Sequence, residues 1–361
     1  MTTAHLGHES HDRHLASHIF NLTILVVGGT ALALMMHKIG WDNARDVIVG
    51  VGAWFPVIVA LDIIAMACDA AAIHQFMRPE ARMVAYWRVF AAQASGRAIN
   101  ILTPGGALGE TTKVTMLVTH APRDRVISSI VLFNLAAFYL AVAVILIGVP
   151  ITLLLVDMPH ELAVTVWIAI AVLLVLVVGL AVLIHRGALG TVIDAIAGLR
   201  IIGHERATAW KLKLVEVDRH LSQLHSDQSP GTRAGIAFVV TSRLVQWIST
   251  TTLLHAVGVH LSFTVFVGVM SVGVLIGWVS AIVPLGIGVA DGGNYALYSV
   301  LGATGASGVF VTLLNRMRSL TLACFGLSIM GIGHTANRIS VTRRRHRLLA
   351  LRHDHPAVQV R

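Results

Sequence analysis

Nine charged side chains lie inside otherwise apolar stretches of this sequence, and they are the residues able to do chemistry there. Five are basic: Arg97, Lys113, Arg243, Arg316 and Arg318. Four are acidic: Asp62, Asp69, Glu110 and Asp291. A charged group at the centre of a bilayer costs at least about 2.5 kcal/mol on insertion scales, so such groups mark function or pair with one another. Arginine forks match the oxygens of a phosphate, and helix starts favour anions. Arg97, Arg316 and Arg318 therefore read as ligand-facing groups for an anionic head group. Glu110 and Asp291 read as alternative partners for the same guanidinium groups. Asp62, Asp69, Lys113 and Arg243 read as proton or ion-pair carriers. Glu110 and Lys113, three residues apart, are expected to form a local ion pair on one helix face. The near balance of signs also fits plain ion pairing that only holds a bundle together. No HExxH, GxSxG or metal-spaced carboxylate motif occurs, so no catalytic residue, metal centre or cofactor is expected.

Two stretches must position these groups. The first runs Arg97-Ala-Ile-Asn100-Ile-Leu-Thr-Pro104-Gly105-Gly106-Ala-Leu-Gly109-Glu110. The second runs Val283-Pro284-Leu-Gly286-Ile-Gly288-Val-Ala-Asp291-Gly292-Gly293. Proline lacks the backbone donor and glycine is conformationally loose, so neither stretch continues a helix cheaply. Non-helical backbone at membrane depth must be buried in protein or line a watery cavity. Both stretches place a Pro, spaced glycines and then a carboxylate that opens a new helix. Paired interruptions of this kind in the two halves of a membrane protein point to a transport site. Pro104, Gly105, Gly106, Gly109, Pro284, Gly286 and Gly288 are the expected turns of two re-entrant hairpins.

The class follows from composition. The 361 residues are 56% hydrophobic and 12% charged, against about 25% charged in a soluble domain. This is an all-α polytopic membrane protein. Residues 1–18 form a polar tail whose His5, His8, His11, His14 and His18 would line one face of a helix and suit a divalent metal. The expected state of such a terminus is disorder, and it shows no signal-peptide pattern. A single membrane domain spans 19–333. Crossings are expected at 19–36, 47–73, 126–149, 162–184, 234–257 and 307–330, the last interrupted by Asn315-Arg316-Met317-Arg318. Asp62 and Asp69, seven apart, share one face of the second crossing. Residues 76–96, with basic and aromatic residues interleaved, read as an interfacial helix. Residues 185–233 form a long loop in which Trp210, Leu214, Val217, Leu221 and Leu224 make an amphipathic stripe. A basic tail occupies 334–361. Cys68 and Cys324 suggest no disulfide framework.

Charge sets the orientation. With the N-terminus, 76–96, 120–125, 185–233 and the tail in the cytoplasm, 20 of the 27 Lys and Arg are inside and only Lys38 and Arg45 lie outside. That is a strong positive-inside asymmetry. It makes the two hairpins enter from opposite sides, so an inverted repeat comes out of the count rather than going into it. The basic residues are loop and tail residues, and the net charge of +9 is not read as a nucleic-acid surface.

The residues Asn100-x-x-x-Pro104-Gly-Gly-x-x-Gly109-Glu110, then the run from Val283 to Gly293, then Asn315-Arg316-x-Arg318, resemble the flippase-like family that includes the transmembrane region of lysylphosphatidylglycerol synthases. The Asp-Gly-Gly and Arg-x-Arg parts are most similar to its hopanoid-biosynthesis-associated branch. The resemblance spans about residues 20–335. It implies translocation of a lipid or lipid-linked substrate between leaflets of a bacterial inner membrane. It also implies a site drawn from Arg97, Asn100, Glu110, Asp291, Arg316 and Arg318. Membrane lipids are the implied partners, with lipid-biosynthesis enzymes beside them. The chain departs from the family in three places. Asp291 stands where Glu is usual, Asn315 where the hopanoid branch tends to have Lys, and 284–288 lacks a second Pro-Gly pattern. The soluble aminoacyl-transferase domain of the synthases does not follow the membrane part, so lysyl transfer is not expected. Three functions remain open at this point: a lipid translocator, an ion- or proton-coupled carrier of a small anion, and a lipid-modifying membrane enzyme.

The orientation is testable. Cysteines introduced at His5 and within the basic tail are expected to react with impermeant maleimide only after the inner face is exposed. Labelling of either end from outside would overturn the layout and the opposed hairpins with it.

Overall fold

The computed structural model describes residues 49–79, 83–103, 107–156, 230–282 and 289–354, with six single positions between 167 and 179. The first crossing at 19–36, the histidine-rich tail, the crossing at 162–184 and the amphipathic stripe lie outside the described residues. So do the turn residues Pro104, Gly105, Gly106, Pro284, Gly286 and Gly288. Every regular element among the described residues is a helix.

Eight helices follow in order: α1 (Trp54–Phe76), α2 (Tyr86–Leu102), α3 (Ala107–Leu117), α4 (Arg123–Leu155), α5 (Pro230–Ala256), α6 (Phe263–Ile282), α7 (Val289–Val300) and α8 (Gly305–Asp354). Local chemistry sets their ends. Pro122 precedes α4 and Pro230 opens α5, where the missing N–H would be unpaired anyway. Ser262 caps α6 by accepting from Val265 N at 3.2 Å, and Thr304 caps α8 by accepting from Ser307 N at 3.3 Å. Helices α5 and α7 stop in the same way. Gly258 and Gly302 take positive φ, and the next residue donates back to Leu254 O and Tyr298 O at 3.0 and 2.9 Å. A β-carbon would be strained at that backbone angle, so glycine is the residue that fits.

By length and composition, three helices among the described residues can cross a membrane: Trp54–Phe76, Arg123–Leu155 and Phe263–Ser280 of α6. The first two fall at expected crossings. The third leads into the Pro284 stretch and is not among the expected crossings. Helices α5 and α8 are long enough, but each carries arginine with amides or hydroxyls beside it, Arg243 with Ser242 and Gln246 in α5 and Arg316 and Arg318 with Asn315 and Ser319 in α8. The polar run Asn315-Arg316-Met317-Arg318 does not interrupt α8, which continues helical past Gly333 to Asp354. A helix satisfies its own backbone in lipid, so polar side chains need only turn inward.

The packing is built on a seam. On α1 the buried residues Ile58, Asp62, Ala65, Asp69, Ala72 and Phe76 recur at four-three spacing. The face they form is the coiled-coil stripe. Helix α5 meets it with small residues seven apart, Gly235, Ser242 and Ser249. Ser242 donates to Ala65 O at 3.0 Å, and Ser249 donates to Asp62 Oδ1 at 3.1 Å. Small residues let backbones approach where lipid supplies no hydrophobic drive between helices. The same device joins α2 to α8, where Gly326 lies against the Ala94 carbonyl and Ala98. It also joins α4 to α6, where Gly148 and Thr152 meet Ser271.

One expectation is corrected. Residues 76–96 are not an interfacial helix. Only the start of α2 fits that reading, with Tyr86, Trp87 and Arg88 exposed. From Val89 onward α2 is buried between α1, α3 and α8. The run Ala91-Ala92-Gln93-Ala94-Ser95-Gly96 is the small-residue pattern of close helix contact, and it outweighs the aromatic and basic cues.

A β-carbon at Gly326 would come within 2.7 Å of the Ala98 Cβ, whereas Gly331 has open space around it. Gly326→Leu is expected to lower stability by about 1–3 kcal/mol, the usual effect of overpacking, while Gly331→Leu leaves the melting temperature unchanged. Thermal unfolding in detergent checks this. Equal melting of the two variants would remove the α2–α8 contact from the fold.

Candidate functional site

A cavity of about 1510 Å³ lies among α2, α4, α5, α6, α7 and α8. Arg97, Asn100, Arg243, Arg316 and Arg318 all line it. Five of the residues singled out by charge or by the family resemblance thus converge, from helices as far apart in sequence as α2 and α8. Leu102 and Thr103, at the C-terminal end of α2, and Ala290, near the start of α7, line the same cavity. The chain flanking each Pro/Gly stretch therefore reaches one space.

The carboxylates stand behind the arginines. Asp62 and Asp69 are buried on the α1 seam, at 1% and 3% exposure. Arg318 Nε contacts Asp62 Oδ2 directly, and Ser249 holds the other oxygen. Arg97 Nη1 lies 3.8 Å from Asp69 Oδ2, an ion pair too long for a hydrogen bond. Arg316 Nη2 donates to Asp291 Oδ2 at 2.8 Å. Arg243 Nη1 donates to the neutral Gln246 Oε1 at 2.8 Å.

Glu110 does not reach an arginine. It accepts from Lys113 Nζ at 2.7 Å, the expected i,i+3 pair, from Asn100 Nδ2 at 3.2 Å and from Asn134 Nδ2 at 2.9 Å. Lys113 is buried, with its ammonium 5.8 Å from the centre of the Phe133 ring. Asn100 serves twice, since its Oδ1 also accepts from Gly109 N at 2.8 Å. That bond satisfies one of the free donors at the start of α3. Gly109 is thus not a turn residue but a helical one. Any side chain there would strike the Gly96 carbonyl and the Asn100 amide. The first turns of α3 and α7 carry Glu110 and Asp291 respectively, where a negative charge meets the positive end of the helix dipole.

Sequence reasoning missed several polar groups that line the cavity, among them Asn134, Gln246, Asn294 and Ser319. Asn294 donates to Thr312 Oγ1 at 2.8 Å and ties α7 to α8. The available signal was a lone amide in an apolar helix, as with Asn134 in the run 126–149. It also missed the apolar lining. Phe138 of α4 stacks on Trp278 of α6 at 5.6 Å between ring centres, and both line the cavity with Ala141 and Val144. The cavity is lined both by guanidinium and amide groups and by apolar and aromatic ones.

The family model described as the lysylphosphatidylglycerol synthase TM region matches residues 21–326. The chain belongs to that family. It is a membrane protein of a lysylphosphatidylglycerol synthase TM-region type, and the family's name refers to an enzyme of lipid synthesis. The match takes in every charged residue of the site, from Asp62 to Arg318, and does not separate the hopanoid-associated branch from the rest. No curated protein and no solved structure matches the chain.

In this TM-region protein the Asp62–Arg318 pair is the most enclosed of the ion pairs whose geometry is given above, with the carboxylate at 0% and the guanidinium at 15% exposure. Removing one member of a buried pair costs about 3–5 kcal/mol, because the other charge is left uncompensated. Asp62→Asn is therefore expected to destabilise the protein strongly, and Asp62→Asn with Arg318→Met to recover more than half of the loss. Thermal unfolding of the single and double variants measures the coupling. Additive losses would show that the two groups do not depend on each other.

Proposed function

We propose that the protein is a lipid translocator and not an enzyme, moving an amphiphile whose polar head group rests on the arginines of the cavity. The observation that carries this reading is the mixed lining of the cavity, arginine and amide groups together with Phe138, Trp278, Ala141 and Val144. The cavity's volume exceeds the roughly 300–1,000 Å³ of ordinary small-molecule pockets. A small anion needs guanidinium groups but has no use for a Phe138–Trp278 stack; a lipid uses both. Arg97, Asn100, Arg316 and Arg318 hold the head group, and Asp291 competes with it for Arg316.

The lengths of α3 and α7 support two re-entrant hairpins. They hold 11 and 12 residues, or about 16 and 18 Å at 1.5 Å per residue, against an apolar bilayer thickness of about 30 Å. Each opens on an acid and packs beside a longer helix, α2 for α3 and α8 for α7. In this layout six helices cross, the hairpins enter from opposite sides, and both termini lie on the cytoplasmic side of a bacterial inner membrane. Membrane lipids are the partners, a hopanoid-type lipid among the candidates from the Asp291-Gly292-Gly293 and Arg316-x-Arg318 motifs, with lipid-biosynthesis enzymes acting nearby.

Binding in such a site must be strong enough to admit the head group and weak enough to release it. A charge-assisted hydrogen bond contributes about 1.5–3 kcal/mol, so Arg316→Gln is expected to slow leaflet exchange on the order of tenfold or more. Purified protein reconstituted into vesicles with a fluorescent anionic phospholipid reads this as the rate of quencher-accessible signal. Exchange at the wild-type rate by a folded Arg316→Gln protein would overturn the head-group role of Arg316. Wild-type protein that exchanges no lipid would overturn the translocator.

A further inference from the structure

Among the described residues, four arginines line the cavity and three carboxylates stand beside them: Asp62, Asp69 and Asp291. Glu110 and Lys113 neutralise each other and leave the count unchanged. The wall therefore carries one positive charge more than the carboxylates that face it. The surplus has a location. Arg318 is held by Asp62, and Arg316 by Asp291 at 2.8 Å. Arg97 and Arg243 have only Asp69 between them: it lies 3.8 Å from Arg97 and acts on Arg243 from beyond ion-pair distance, while the two guanidinium charges repel each other. Neither is shown in hydrogen-bond contact with Asp69. The Arg97 distance is 3.8 Å, Asp69 Oδ1 is buried without a hydrogen-bond partner among the described residues, and so is Arg243 Nε. The hydrogen bond that Arg243 does make goes to the uncharged Gln246.

A guanidinium nitrogen buried without an acceptor, as Arg243 Nε is among the described residues, costs free energy that an anion can offset. We infer that Arg243, with Arg97 beside it, is the primary contact for a single oxyanion of charge minus one, the chemistry of a phosphodiester. This deepens the proposed translocator and rests on that reading for the lipid as its source. A phosphodiester neutralises the surplus. A phosphomonoester dianion would overshoot it. A zwitterionic head group would bring an ammonium to a wall where Asp62 and Asp291 are already engaged by arginine. The planar fork of arginine can grip two oxygens of one phosphate, which also fixes the head group's orientation.

The test compares phosphatidylglycerol, phosphatidylcholine and phosphatidic acid probes in vesicles containing the full chain, beside thermal stabilisation of the detergent-purified protein by the same lipids. Soluble glycerophosphoglycerol serves as the lipid-free source of the same diester. Wild-type protein is expected to exchange phosphatidylglycerol at least fivefold faster than the other two and to be stabilised by it most. Arg243→Gln is expected to bring phosphatidylglycerol down to the phosphatidylcholine rate without changing the latter. Gln246→Glu places a carboxylate where Arg243 already donates, so it should fold and lose the preference in the same way. Leu244→Ala, on the exposed side of α5, should behave as wild type. Retained preference in Gln246→Glu or in folded Arg243→Gln overturns the inference, as does a wild-type protein indifferent to head-group charge. If no lipid is exchanged while phosphatidylglycerol still stabilises wild type and not Gln246→Glu, the translocator falls and the diester site stands. Stabilisation by glycerophosphoglycerol equal to that by phosphatidylglycerol would support the diester contact and assign it to a soluble source.

Discussion

The arrangement of this protein depends on the need of two buried aspartates for cations. Asp62 and Asp69 sit on the α1 seam, closed off from water. Left unpaired, each would carry the desolvation penalty of a carboxylate in a low-dielectric space. Arg318 comes from α8, Arg97 from α2 and the hydroxyl of Ser249 from α5. Three helices, two of them distant in sequence, are thereby drawn to one stripe of α1. Apolar side chains could not impose this choice, because lipid satisfies them equally well on any face.

Charge pairing fixes partners, but small residues fix distance. The α5 residues Gly235, Ser242 and Ser249 lie seven apart and face an α1 stripe of period 3.5. Gly235 leaves room for the Phe76 ring, and Ser249 completes the shell of Asp62. Gly96 and Gly109 do the same between α2 and α3, which brings Asn100 close enough to cap α3 and to reach Glu110. A larger residue at any of these positions would lengthen the ion contacts that the fold is arranged to make.

Much of this was legible in the sequence, because residues in lipid obey a strict cost. Charges at membrane depth announced the site, and five of the predicted ligand or ion-pair residues do line one cavity. The spacing of Asp62 and Asp69 announced a shared face. The spacing of Glu110 and Lys113 announced their pair. What could not be read was partnership across helices. Glu110 was matched with the arginines by sign alone, yet its neighbours are Lys113, Asn100 and Asn134. Nothing local in the sequence tells which acid faces which base when they are more than two hundred residues apart, as Asp62 and Arg318 are. The burial of α2 was hidden for a different reason. Its exposed first turn carries tryptophan, tyrosine and arginine, and these strong interfacial cues masked the weaker Ala, Ser and Gly pattern behind them.

The ion pairs are unequal, and the inequality separates support from exchange. Asp62–Arg318 is fully shielded at the carboxylate, and Ser249 saturates the oxygen that Arg318 does not contact. Opening it would strand two charges at once, so it suits a fixed hinge point for α1, α5 and α8. Asp291–Arg316 is short but lies partly exposed, near the start of a helix only 12 residues long. Asp69–Arg97 is long and shares its carboxylate with the field of Arg243. A ligand oxygen entering between these groups gains hydrogen bonds that the empty wall does not make, and it breaks none at Asp69. At Arg316 it must displace an existing bond at 2.8 Å. The two sides of the cavity therefore differ in what an anion must disturb. It can settle at Arg97 and Arg243 with little rearrangement, and advance to Arg316 only as Asp291 lets go. That ordering gives an anionic head group a first resting place and a second step with its own barrier, as passage without a deep trap requires.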